Sequence, residues 1–112
     1  MANFYKNAFY DPTTTASTTL YTAPANARAI IQNIQVTNES GSKICKKKIT
    51  DSSASTTYQI AYANITGPTI CNLAKGPIIL EENDSIALES STTDAISAVM
   101  SILEISREDQ NG

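Results

Sequence analysis

A chain of 112 residues is the size of one domain, long enough to bury a modest core without a metal or a disulfide framework. Its formal net charge of −3 argues against nucleic acid as the main partner, because binders of that kind carry a basic field that neutralises phosphates. With no histidine, the commonest general base and metal ligand of neutral-pH sites are both missing, which excludes Ser-His-Asp triads, zincins and most zinc sites.

The first segment, "MANFYKNAFYDPTTT", gathers Phe4, Tyr5, Phe9 and Tyr10, four of the chain's seven aromatics. It has no apolar signal-peptide core, and no run in the chain approaches the roughly 20 apolar residues that span a bilayer. Synthesis in the cytoplasm and no membrane attachment are therefore expected. Exposed aromatics near a terminus act as anchors when they bury on a partner. Residues 1–12 are read as an N-terminal arm with these four side chains as its partner-binding residues. The alternative is an edge strand of the chain's own sheet.

Strand signals follow in series. "TTLYTA" (Thr18 to Ala23) is stopped by Pro24. "ARAIIQNIQVTN" (Ala27 to Asn38) places Ile30, Ile34 and Val36 on one face and Ile31 on the other. After the turn-forming "NESGS" comes "KICKKKIT" (Lys43 to Thr50), where Cys45 and Ile49 share one face and Ile44, Lys46 and Lys48 the other. Its lysines, with Lys47, are read as a solvated, edge-protecting row, or as a patch steering toward an acidic protein. "TTYQIAYAN" (Thr56 to Asn64) alternates Tyr58, Ile60 and Tyr62, and "TICNL" sets Ile70 opposite Cys71 and Leu73.

"GPIIL" and "SIALES" read as a hairpin around the acidic corner Glu81–Asp84. The last segment, "AISAVMSILEIS", also fits helical spacing through Ile96, Val99, Met100 and Leu103. Its strand context decides for a strand, and being apolar on both faces it is expected to be central or covered by a neighbouring subunit. About seven or eight short strands with turns every 8–12 residues predict a single antiparallel β-sandwich, Ig-like or jelly-roll-like, over residues 13–108, with a polar tail at 109–112.

No catalytic, cofactor-binding or metal-ligating constellation emerges. Cys45 and Cys71 cannot by themselves build a zinc site; they would pair if adjacent strands brought them close, and are otherwise free thiols, the commoner state in a cytoplasm-made chain. Glu81, Glu82 and Asp84 lack EF-hand spacing, and adjacent acids on one bend do not make the cleft a glycosidase needs. A structural turn asks less of them, since Asn83 and Asp84 tolerate left-handed backbone.

Taken together, "TTLYTAPANARAIIQNIQVTNES" (Thr18 to Ser40), "GPIILEENDSIALES" and "SILEISRE" (Ser101 to Glu108) resemble a group of small virion structural proteins of tailed bacteriophages, especially marine and cyanobacterial phages. Asn83 stands where members often carry Gly. The resemblance implies a non-enzymatic capsid decoration or cement protein, bound to the major capsid protein on the outer capsid surface. Neck, tail or fibre-base proteins are the alternative partners. It also implies a homo-oligomer, trimer or dimer, and no cofactor. A receptor- or glycan-binding module is a further reading, weakened by the lack of Trp.

Overall fold

The computed structural model describes residues 2–106; the expected tail at 109–112 and the end of the expected sandwich lie outside the described residues. Nine strands follow in chain order: β1 (Ala2–Tyr10), β2 (Thr18–Thr22), β3 (Ala27–Asn38), β4 (Ser42–Asp51), β5 (Thr56–Thr66), β6 (Thr69–Asn72), β7 (Ile78–Leu80), β8 (Ser85–Ser90) and β9 (Ile96–Ser106). They form two sheets, one ordered β1-β9-β3-β6 with β7 also on β3, the other β2-β8-β4-β5. Every pairing is antiparallel. β1 pairs with β9, β2 with β8, β3 with β6 and β4 with β5, as if one long hairpin had been wrapped into two layers. That is the order of a jelly roll rather than of an Ig-like sandwich.

The inward faces of both sheets supply the core. Ile31, Ile34 and Val36 of β3 and Ile96, Met100 and Ile102 of β9 meet Cys45 of β4 and Ile86 and Leu88 of β8. Burying each large aliphatic side chain here contributes about 1.5–3 kcal/mol. β9 is central in its sheet, flanked by β1 and β3, as its two apolar faces predict.

Four sequence expectations change. Residues 1–12 supply an edge strand, not a free arm, because Ala2–Tyr10 runs in register along β9 from Ala2 opposite Ser106 to Tyr10 opposite Ala98. Even-numbered residues there face inward, so Tyr10 is only 2 % exposed and belongs to this chain's own core. Its hydroxyl has no hydrogen-bond partner among the described residues.

In β3 a bulge between Ile31 and Asn33 reverses the alternation, so Ile31, Ile34 and Val36 point inward and Ile30 outward. The lysine strand β4 is not an edge; it lies between β8 and β5. Lys43 and Lys47 are buried, each capped by a backbone carbonyl, that of Ser40 for Lys43 and that of Leu73 for Lys47. Burial pushes the Lys47 ammonium below its ordinary pKa.

Finally, Ile78–Leu80 and Ser85–Ser90 are not a hairpin. β7 pairs with β3 in one sheet and β8 with β2 and β4 in the other, so the acidic corner carries the chain across the sandwich. Asn83 takes φ +70° there, a left-handed conformation that Asn tolerates better than most residues.

Candidate interaction surface

The acidic corner was the sequence's only candidate for chemistry, and its three acids diverge. Asp84 is buried, its Oδ2 accepting from the Glu81 N–H and its Oδ1 from the Ser52 N–H, each at 3.0 Å. Glu82 pairs with Arg28 at 3.3 Å, while Glu81 is exposed. Among the described residues no group of three His, Cys, Asp or Glu side chains converges as metal ligands would. Cys45 and Cys71 are free thiols, and burial pushes that of Cys45 up to about 11, the opposite of what a nucleophile needs.

Two carboxylates hold polar networks that the sequence did not disclose. A bulge between Thr19 and Tyr21 turns Tyr21 inward, where its hydroxyl donates to Glu104 Oε1 at 2.5 Å, and Lys6 reaches the same oxygen at 3.1 Å. Burial opposes ionisation of Glu104, but the bonds from Tyr21 and Lys6 outweigh it and keep the carboxyl below the usual range. On the outer face of the β2-β8-β4-β5 sheet, Glu89 accepts from Lys48 at 2.8 Å and Ser17 at 2.8 Å and lies 3.6 Å from Lys46. The Lys48 bond, then the Ser17 bond, pull Glu89 down to about 2.

Both carboxyls titrate lower in the folded chain than the ~4.3 of an unperturbed Glu, so their stabilisation is present above that pH and is lost as pH falls below it, for Glu89 as pH approaches about 2. Urea midpoints are expected to hold between pH 7 and 5 and to fall between pH 4.5 and 2.5, less steeply in Glu89→Gln. A midpoint that stays level to pH 2.5 would show that neither network stabilises the fold.

The two outer faces differ in kind. That of the β2-β8-β4-β5 sheet carries the Lys46, Lys48 and Glu89 lattice. On the other sheet, register lines up Tyr5, Leu103, Ile30 and Ile79 as one apolar row across β1, β9, β3 and β7. Ile105 stands beside the row, and Phe9 opposes Val99 further along β9. Tyr5 is 79 % and Phe9 72 % exposed. The outward positions between them are Asn, Gln, Ser and Thr, and Arg28 is the only charged side chain the strands of this sheet place outward. A groove of about 500 Å³ runs beside Phe9, Gln35, Thr37 and Val99 with Asp11 and Glu39 at its rim, and a smaller one of about 290 Å³ beside Tyr5, Asn7, Gln32 and Ser101 with Lys6 in its lining.

Of the four aromatics expected to bind a partner, the structure thus brings Tyr5 and Phe9 onto this face, sets Phe4 exposed on the inward side of the sheet's edge, and buries Tyr10. Leu103, Ile30 and Ile79 join the surface without having been singled out. The alternation of "SILEIS" carried the signal for Leu103; the β3 bulge hid Ile30.

Fold and surface together define a jelly-roll sandwich with a large outer face poor in charge. No protein-family model matches the chain, and no curated protein matches it. Among solved structures it is similar to a chain of the infectious bursal disease virus Gt strain, at 9 % identity and TM-score 0.47, over 95 % of this chain and 31 % of that one. It is similar in the same way to a chain of the Gx strain of that virus, at 14 % identity and TM-score 0.49, over 99 % of this chain and 32 % of that one. The chain thus spans about a third of the length of the structures it matches.

Proposed function

We propose that this is a non-enzymatic virion structural protein, a capsid decoration or cement protein that binds the major capsid protein and stabilises the shell. The observation that carries the reading is the charge-poor, aromatic-bearing outer face of the β1-β9-β3 sheet. Interface centres are depleted of charge and enriched in Tyr and Phe, and a row of exposed and half-exposed apolar side chains set among uncharged polar ones fits that composition. Four strands at about 4.8 Å spacing and some 33 Å of β9 give roughly 600 Å² of flat sheet, near the ~800 Å² per partner of a standard interface.

Supporting it are the jelly-roll order, an architecture used by capsid domains, and the sequence resemblance to small phage virion proteins. Anchoring falls to Tyr5 and Phe9, with Phe4 at the margin and Leu103 at the centre. Quantifying the protein in purified particles tests the reading. Decoration requires on the order of hundreds of copies per shell, a neck, tail or fibre-base position about 6 to 18, and absence from particles refutes both.

A further inference from the structure

A sheet edge exposes unpaired backbone N–H and C=O groups, so proteins shorten edge strands, bulge them, or place charge or Pro on them. This sandwich does so at most of its edges. β1 carries the inward-pointing Lys6, ion-paired with Glu104. β2 is five residues long and bulged, and β6 and β7 have four and three residues.

β5 is the exception. It is the outer strand of the β2-β8-β4-β5 sheet, 11 residues long, and "TTYQIAYANIT" contains no charge, no Pro and no Gly. Like β2 it is bulged, between Gln59 and Ala61, but it is more than twice as long and its bulge presents the apolar Ile60 rather than a charge. Tyr58, Ile60 and Tyr62 all stand exposed along it. The Lys46 ammonium lies 5.7 Å from the centroid of the Tyr62 ring. Beside β5 a groove of about 400 Å³ opens toward β6, lined by Ile65, Ile70, Cys71 and the charged Lys75.

We infer that β5 pairs antiparallel with β5 of a second copy of this chain, joining two four-stranded sheets into one of eight strands across a two-fold axis. Only another strand satisfies a row of backbone groups, and an uncharged strand opposes its own copy without the repulsion that two acidic chains suffer elsewhere on their surfaces. An edge about 37 Å long and roughly 15 Å deep, including the β6 side, buries about 1,100 Å² over both copies, just above the ~1,000 Å² that a specific interface needs. The contact is isologous, so it closes at two copies and uses up the exposed edge instead of propagating a fibre. It leaves the outer face of the β1-β9-β3 sheet free and does not depend on the role proposed for that face.

Sedimentation equilibrium of the isolated full chain tests this, because it needs no particle. A monomer–dimer equilibrium is expected that does not weaken between 50 mM and 500 mM salt, since the pairing relies on no ion pair between copies and salt screens the repulsion of two chains of charge −3. Ile60→Glu and, separately, Tyr62→Glu, where Lys46 stands ready to accept the new carboxylate, should weaken the dimer by at least about tenfold with circular dichroism unchanged. Tyr5→Glu should leave it intact. Hydrogen exchange of the wild type should slow at β5 amides as concentration rises through the midpoint. A wild-type monomer at 100 μM, a trimer, or a dimer that survives both β5 variants but is lost with Tyr5→Glu would overturn the inference.

Discussion

Asp84→Ala is expected to lower the unfolding free energy by about 2–4 kcal/mol, the largest loss for any single residue of the acidic corner. Its carboxylate satisfies two backbone N–H groups from different parts of the chain, Glu81 at the corner itself and Ser52 in the β4–β5 turn. The same corner is tied to the end of β2, with the Ala23 N–H donating to the Asp84 carbonyl at 2.9 Å and the Asn83 N–H to the Ala23 carbonyl at 3.0 Å. Removing the carboxylate leaves the Glu81 N–H without its acceptor at a buried crossing between sheets and frees the β4–β5 turn. Glu81→Ala, by contrast, removes an exposed side chain and should fall within about 0.5 kcal/mol of the wild type. Urea unfolding of both variants measures the difference; equal stabilities would mean that the corner is only a solvated bend.

The second large effect is on partner binding. Leu103 sits at the centre of the apolar row, opposite Tyr5 on one side and Ile30 on the other. Leu103→Glu would bury a carboxylate against the partner proposed for this face, where Arg28 is already paired with Glu82 and Lys6 with Glu104. Binding to particles that lack the protein should weaken by about 30-fold or more, the range of a central interface residue. Tyr5→Glu should act in the same direction and carries no folding cost, because Tyr5 is exposed. Glu89→Gln, on the opposite face, should bind as the wild type does. Point variants are preferable to deleting residues 1–12, which would strip β1 from its sheet and remove Tyr10 from the core. Undiminished binding of both Leu103→Glu and Tyr5→Glu would move the contact elsewhere.

What the sequence made legible follows from the physics of alternation. β9 was readable in both position and facing because period-two patterning over six or more residues has one solution when one face is buried. β4 and β5 were readable in position only: the bulge at Ile60 sets Tyr58 opposite Ile49 and Tyr62 opposite Lys46, on different faces, and Lys43 and Lys47 turn inward. Ile30 and Ile31 were exchanged because a single extra residue in β3 inverts every side chain before it, and nothing in "AIIQN" marks a bulge. Tyr21 was hidden in the same way by the bulge in β2.

The acidic corner was misread as a hairpin turn for a different reason. Two short strands around a polar bend look alike whether they pair with each other or with different sheets, and only long-range pairing decides. One signal was available: Asp84 continues the inward parity of Ile86, Leu88 and Ser90, which argued for a buried carboxylate rather than a solvated one. For Lys43 and Lys47 the parity shared with Cys45 pointed inward too, against the general expectation that lysine is exposed. The carbonyls that cap them, at Ser40 and Leu73, come from turns whose approach no local pattern announces. The apolar row is assembled from four strands that are distant in sequence, so its members were visible singly and the surface was not.

The central claim, that the outer face of the β1-β9-β3 sheet seats this protein on a capsid, is tested most directly by imaging purified particles at a resolution that shows side chains. The predicted result is one jelly roll at each of many symmetry-related positions on the outer shell, with Tyr5, Phe9 and Leu103 packed against the major capsid protein and the Lys46, Lys48 and Glu89 lattice facing solvent. Particles on which this face points into solvent, or which lack the protein altogether, would contradict it.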